Sequence, residues 1–280
     1  MSRTPLISLL AVCFIAPAAS HAWAQEKIDK QIAALEAAKA QFLKDKQAEK
    51  QKVLKKFDAW IQKVATSRAM KAADRLSLTD DLREERKVFA EKEDVAESSS
   101  NDVLSVMLEY GKAVAKKYKP VSSMFDQMMT ACINAGKTEE AKKIKADMEL
   151  FEIENLPGRK HVAAGVIWIG SQHEGNGAIQ FLFRVTELHG SLFKARMERN
   201  ISVGGHPIFN LDCQLDGILI KVTNITPMQG SIPLKECRGI LLGQTLLLQL
   251  TTLQETTVPR SKQRITTRNI SFAVLRMQKK

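Results

Sequence analysis

The chain is poor in the residues on which most metal sites and catalytic sites depend. It has 5 histidines and 4 cysteines among 280 residues. None of them stands in a His-Glu-x-x-His or Cys-x-x-Cys spacing, and no Gly-x-Ser-x-Gly elbow occurs. These absences exclude the common signatures of zinc hydrolases, dithiol oxidoreductases and serine hydrolases. The sequence therefore predicts no metal, no cofactor and no enzymatic activity.

Long apolar runs are also missing, apart from one near the N terminus. Arg3 precedes an apolar run from Leu6 to Ala19, and the small-residue triplet at 22–24 follows it. This order is typical of a secretory signal that is cleaved before Gln25. The run is shorter than the about 20 residues that a membrane span needs. We therefore expect residues 1–24 to be removed, and the mature protein to be secreted or periplasmic without a transmembrane segment.

Acidic residues are scarce in the C-terminal part of the chain. Residues 25–160 hold 27 Lys and Arg against 24 Asp and Glu, whereas residues 161–280 hold 14 against 7. Pro157-Gly158 lies where the composition changes. A chain of this length commonly forms two domains. We therefore predict a helical domain over residues 25–158 and a different kind of domain over residues 162–280.

The first of these domains has the apolar spacing of amphipathic helices. From Gln25 to Ser67 there is no proline or glycine, and apolar residues recur three, four and seven positions apart. Four more helices are predicted at 82–95, 103–118, 121–135 and 139–154, and Pro120 is expected to open the helix at 121. We expect the five helices to pack as antiparallel hairpins.

The first helical hairpin resembles the second. Phe57 matches Phe125, which lies 68 residues later, and Phe89 matches Phe151, which lies 62 residues later. Self-similarity of this kind is typical of stacked helical-hairpin repeats. A binding surface for a protein partner on the helical domain is therefore a further expectation.

One stretch of the helical domain resembles a known group of proteins. Ala135-Gly136-Lys137, followed by Glu139-Glu140-Ala141 and a charged helix that ends at Phe151, is similar to the helical repeats of secreted planctomycete proteins. In that group, repeated helices precede a C-terminal β domain. The resemblance extends over nearly the whole mature chain and implies this architecture and export. It implies no activity and no functional residues.

From Ala163 onward the pattern changes to short apolar runs separated by turn residues. Turn signals at His189-Gly190, Asp216-Gly217 and Leu242-Gly243 separate consecutive strands. This pattern predicts an antiparallel β meander that forms a barrel or a sandwich, so the fold class is α+β with two domains. The eight predicted strands are 164–171, 178–187, 191–199, 207–215, 218–225, 237–242, 245–253 and 266–277.

Two stretches of the β domain carry more specific expectations. The run from Ile240 to Leu253 is apolar on both faces, so we expect the helical domain or a partner to cover one face. Gly165-Val166-Ile167-Trp168 and the closing strand at 271–276 resemble the ends of lipocalin- and avidin-like barrels. Those families separate Gly and Trp by one residue, whereas two residues intervene here. No ligand cavity is therefore carried over from them.

Cys213 and Cys237 are the two cysteines of the β domain. In an oxidising compartment they could pair, because they share a domain. The alternative is that both are small buried hydrophobic residues, as free cysteines often are. The sequence leaves both alternatives open.

A basic segment near the C terminus is the clearest candidate for a binding site. It contains Arg260, Lys262, Arg264 and Arg268, with no acid after Glu255. Such a patch attracts polyanions, although a solvated loop without a ligand is the alternative. No aromatic residue lies between the basic ones, which argues against specific recognition of single-stranded nucleic acid by stacking.

We therefore expect a non-catalytic binding protein whose β domain recognises an acidic polysaccharide or another envelope polyanion. Two alternatives remain. One is a hydrolase with an unrecognised site in the β domain, for which Glu187, Glu198 and Asp212 are the candidate acids. The other is a carrier for a small apolar ligand inside the lumen of a barrel.

Overall fold

The computed structural model describes residues 16–96, 99–174, 177–200, 206–229, 234–257 and 264–278. Side chains are described from residue 30 onward, except those of residues 171–174, 177–178, 253–257 and 264–267. Within these ranges, four α-helices precede a closed antiparallel barrel of eight strands. The predicted fold class is confirmed, and the structure decides for a barrel over a sandwich.

The strand bounds agree closely with the periodicity of the sequence, whereas α2 begins ten residues before the predicted start at 82, and the helices predicted at 103–118 and 121–135 form one helix. All eight predicted strands are present, with small shifts at their ends. The helices are α1 (Ala16–Ala65), α2 (Ala72–Lys92), α3 (Asn101–Asn134) and α4 (Thr138–Asn155). The strands are β1 (Ile167–Glu174), β2 (Gly177–His189), β3 (Leu192–Asn200), β4 (Ile208–Asp216), β5 (Leu219–Gln229), β6 (Leu234–Leu242), β7 (Thr245–Thr257) and β8 (Arg264–Met277).

The predicted signal segment falls largely outside the described part of the chain. Residues 1–15 are not described, and residues 16–24 form the beginning of α1. No helix in the described ranges is both long enough and apolar enough to cross a bilayer. Export and cleavage therefore stay predictions.

Pro120 lies inside α3, so the prediction that it opens a new helix is wrong. Proline cannot donate a hydrogen bond to the carbonyl four residues before it, which costs a helix about 3 kcal/mol. However, Tyr118, Val121 and Phe125 are almost completely buried. Each large apolar side chain contributes about 1.5–3 kcal/mol when it is buried. The continuous buried stripe therefore outweighs the missing hydrogen bond.

The helices form two hairpins, α1–α2 and α3–α4, which meet along α1 and α3. Phe42 of α1 contacts Phe151 of α4, with ring centroids 6.0 Å apart. Tyr110 of α3 contacts Phe89 of α2, with centroids 5.1 Å apart. Tyr110 follows Phe42 by 68 residues, and Phe151 follows Phe89 by 62 residues. These are the offsets of the internal similarity, so the two aromatic contacts occupy equivalent places in the two hairpins.

Tight turns close the barrel at the end nearest the helices. At each turn, two residues connect the last paired residues of the two strands. In the β4–β5 turn, for example, these last paired residues are Asp216 and Leu219. The first residue of each turn is a glycine with positive φ, which type I′ and II′ hairpin turns require. These glycines are Gly190 (φ 64), Gly217 (φ 62) and Gly243 (φ 52). The three predicted hairpin turns are therefore confirmed.

The helices and the barrel share a hydrophobic cluster. Ile240, Leu242 and Leu247 belong to the same buried cluster as the helical core, whereas Leu241 belongs to the barrel interior. The contact is close, because a Cβ atom on Gly111 of α3 would lie 2.5 Å from Cγ2 of Ile240. The run from Ile240 to Leu253 is apolar on both faces, and the helices cover one of these faces, as expected, over residues 240–247.

The segment between the two predicted domains packs on the barrel. Gly158 has φ 76, and a Cβ atom on it would lie 2.7 Å from Cβ of Leu241. Arg159 Nε donates to Glu152 Oε2 at 2.8 Å, and the Tyr118 hydroxyl donates to Glu152 Oε1 at 2.8 Å. The segment thus packs on the barrel at Gly158 and is held to the helices through Arg159 and Glu152.

Candidate binding surfaces of the barrel

The hairpin of β7 and β8 extends beyond the strands on either side of it. In the described strands, β6 pairs with β7 no further than Thr252, and β1 pairs with β8 no further than Val274. Beyond these points, residues 253–257 and 264–268 pair with each other alone. We call residues 253–268 the basic arm, because it holds four basic residues and one acid. The described part of the arm, at 253–257 and 264–268, lies at the barrel end opposite the helices.

The structure locates two of the four basic residues that the sequence predicts as a site. Positions 264 and 268 lie on β8, about 13 Å apart along the strand. The Arg268 side chain is 55% exposed, and its Nη2 atom lies 2.8 Å from Oε2 of Glu236. Arg238 Nη2 lies 3.4 Å from the same oxygen. Arg260 and Lys262 lie outside the described residues.

Cys213 and Cys237 are free thiols inside the barrel. They lie on β4 and β6, which are separated by β5. Strands that are second neighbours lie about 9.6 Å apart, whereas a disulfide needs a Cα separation of about 4.4–6.8 Å. Burial raises the pKa of both thiols, that of Cys237 to about 12. The structure therefore shows two buried hydrophobic residues and not the disulfide that their shared domain allowed.

A cleft of about 640 Å³ opens between β5 and β6, and we call it the β5–β6 seam. The two strands pair at residues 219–221 of β5, opposite residues 238–240 of β6. Past this short ladder, residues 222–229 and 234–237 do not pair with each other across the described lengths of the two strands. Each strand is held on its other side, by β4 and by β7 respectively. The seam is therefore bounded by two facing strand edges.

The β5–β6 seam has an apolar floor and a basic rim. Val222, Ile225 and Leu234 line it and pack against the barrel core. The charged residues that line it within the described part of the chain are four bases and one acid: Lys112, Lys221, Lys235, Arg238 and Glu236. The sequence analysis missed this site, because Lys112 comes from α3 and the other residues follow an ordinary strand pattern.

The three candidate acids of the sequence analysis lie on three consecutive strands, β2, β3 and β4. Over the described side chains, no group of three or more His, Cys, Asp or Glu residues could hold a metal ion. The three candidate acids of the sequence analysis contact three different neighbours: Glu187 pairs with Lys194 at 3.0 Å, Glu198 with Arg196 at 2.9 Å, and Asp212 accepts from Asn224 at 3.1 Å.

Glu85 of α2 is a buried acid that the sequence analysis also missed. It is 6% exposed, and burial, together with the charge of Asp81, raises its pKa from 4.5 to about 7. Its Oε2 atom has no hydrogen-bond partner within the described part of the chain. Glu85 lies on α2, and its burial couples its protonation to the stability of the folded protein.

The geometry thus offers two surfaces with the character of binding sites. The basic arm projects charge beyond the barrel, and the β5–β6 seam offers open strand edges above an apolar floor. In comparisons with protein-family models, with curated proteins and with solved structures, nothing matches this chain.

Proposed function

We propose that this protein is an exported, non-catalytic binding protein that recognises an acidic polysaccharide or a similar envelope polyanion through its basic arm. The observation that carries the proposal is the reach of the β7–β8 hairpin beyond its neighbouring strands. A projecting ribbon with a net positive charge approaches a long polyanion without interference from the rest of the barrel. Clustered charge of one sign also raises the rate of encounter with such a partner.

The ion pair of Arg268 with Glu236 is compatible with this role. Both side chains are about half exposed, at 55% and 44%. Exposed pairs of this kind typically contribute less than about 1 kcal/mol and are screened by salt. A bound polyanion therefore replaces Glu236 at little cost, and Glu236 weakens the affinity of the arm only modestly.

The barrel interior favours binding on the outside of the barrel. Trp168, Phe181, Phe183 and Met197 fill it, and each is 0–1% exposed. This packing does not favour a carrier with an apolar ligand in its lumen.

Retention on a heparin column tests the proposal in the full chain. The fourfold variant Arg260→Ser, Lys262→Ser, Arg264→Ser and Arg268→Ser should elute at a much lower salt concentration than the wild type. Single surface substitutions usually change stability by about 0.5 kcal/mol or less, so circular dichroism should show an unchanged fold. Glu236→Gln should elute at a higher salt concentration, because it releases Arg238 and Arg268.

The control variant removes the same number of charges from the helices. Lys55, Lys56, Lys119 and Lys143 are exposed, and all four are changed to serine. This variant should elute close to the wild type. If it loses as much retention as the arm variant, the column reports only the net charge of the protein, and the arm is not a binding site.

A further inference from the structure

Among the described residues, the β5–β6 seam has two facing strand edges that do not form a ladder with each other. Residues 222–229 of β5 and 234–237 of β6 do not pair with each other, although each strand continues its ladder on the other side. In a strand, alternate residues direct their N–H and C=O groups to opposite sides. Half of the residues along both edges therefore present donors and acceptors to the cleft. Open edges of this kind are templates for pairing with another chain.

The size of the seam suits a short extended segment. Its volume of about 640 Å³ lies within the range of about 300–1,000 Å³ that is usual for ligand sites. The free edge of β5 runs from Val222 to Gln229, which is about 25 Å at the rise of a strand. The free edge of β6 is shorter, from Leu234 to Cys237, and extends over about 13 Å. A strand of about four residues would therefore pair with both edges, and a few further residues of it would pair with β5 alone.

The side chains around the seam define the sequence that such a segment needs. The floor residues Val222, Ile225 and Leu234 face it with apolar surface. At the rim, Lys235 has no ion pair among the described residues. The other basic rim residues have nearby acids on the surface: Lys112 lies 2.6 Å from Glu109, Lys221 lies 2.6 Å from Asp216, and Arg238 lies 3.4 Å from Glu236.

We propose that the β5–β6 seam binds an extended acidic peptide segment of a partner protein, which adds as a strand between β5 and β6. Strand addition uses main-chain hydrogen bonds for affinity and alternate side chains for specificity. Apolar side chains of the segment contact the floor, and the acidic side chains between them contact the basic rim. A polysaccharide lacks the regular amide donors and acceptors that match two strand edges, so a peptide fits this site better.

The probe is a peptide of about seven alternating aspartate and valine residues with blocked ends, about 23 Å long when extended. Its binding to the full chain is measured by fluorescence anisotropy and by hydrogen exchange. Bound peptide should slow the exchange of amides at 222–229 and 234–237. The same peptide with N-methyl groups on alternate residues should not bind, because it cannot donate to the strand edges.

Two lysine variants test the contribution of the rim. Lys235→Glu should weaken peptide binding about fivefold, the upper size expected for one exposed charge contact. Lys56→Glu makes the same change in net charge on an exposed face of α1 and should leave the affinity unchanged. A serine variant of the basic arm that keeps Arg268, with Arg260→Ser, Lys262→Ser and Arg264→Ser, should also bind the peptide normally. Failure of the polyanion proposal is thus distinguishable from failure of this one.

Several results would overturn the proposal. Absence of peptide binding would do so, as would equal binding of the N-methylated peptide, since contact would then depend on charge alone. Equal weakening by Lys56→Glu would have the same meaning. If heparin slows exchange at 222–229 and 234–237 and displaces the peptide, the seam is a polysaccharide site and not a peptide site.

Discussion

Replacing Asp94 with alanine tests whether the helices and the barrel are held together by a buried ion pair. Asp94 follows α2 and is 6% exposed. Its Oδ2 atom accepts hydrogen bonds from Arg276 Nη1 at 2.8 Å and from the backbone N–H of Gln244 at 3.4 Å. Arg276 also donates to the carbonyl oxygen of Val95. These contacts join the segment after α2 to the β6–β7 turn and to the end of β8.

The size of the effect follows from the burial of the pair. Removal of one partner of a buried ion pair costs about 3–5 kcal/mol, because the other charge is left without compensation. The Arg276 side chain is 30% exposed, so water replaces part of the lost contact. We therefore expect Asp94→Ala to lower the free energy of unfolding by about 3 kcal/mol. In a chain of this size, that loss lowers Tm by roughly 6–12 °C.

Urea unfolding, followed by circular dichroism and by tryptophan fluorescence, measures the loss. Trp60 lies in α1 and Trp168 in β1, so fluorescence reports on both parts of the molecule. The control is Asp80→Ala on α2, which removes an exposed ion pair with Arg83 and should cost less than about 1 kcal/mol. If the two variants unfold at the same urea concentration, the Asp94 contact does not hold the two parts together.

Two further substitutions test the packing and the pH dependence of the helical part. Gly111→Ala should lower the free energy of unfolding in urea by about 1–3 kcal/mol, because the new Cβ atom would lie 2.5 Å from Ile240. This loss is expected although alanine is the better helix former by about 1 kcal/mol. A stabilised variant would contradict this contact. Burial raises the pKa of Glu85 in the folded protein to about 7, from an ordinary 4.5, so the folded state binds the proton more tightly than the unfolded state does. This residue therefore lowers the free energy of unfolding as pH rises from about 4.5 to 7. Glu85→Gln should therefore match the wild type below pH 4.5 and exceed it by about 3 kcal/mol at pH 8 in urea titrations. A difference independent of pH would refute the assignment.

Local patterns in the sequence predicted most of the elements. The two-residue alternation and the glycine turns located every strand, because both depend on residues that are close together in the chain. Pro120 shows where local rules fail. Its effect on the backbone is local, but the burial of Val121 and Phe125 depends on contacts with other helices, and this burial decided the outcome.

The two candidate surfaces differ in how far the sequence predicts them. The residues of the basic arm are adjacent in the chain, so their charge is visible without a structure. The β5–β6 seam depends on where a ladder between two strands ends, and its rim includes Lys112 from α3. No local pattern shows the end of a ladder, because pairing depends on the shape of the whole barrel.

The sequence by itself determined the number and order of the strands, the tight turns and the charge of the arm, since each follows from neighbouring residues. Only the tertiary structure decided which face of β6 and β7 meets the helices, and that Asp94 pairs with Arg276, 182 residues away. It also placed Cys213 and Cys237 as buried thiols on β4 and β6, two strands that β5 separates. These outcomes depend on how the helices dock on the barrel and how its strands are ordered, which are interactions between distant segments.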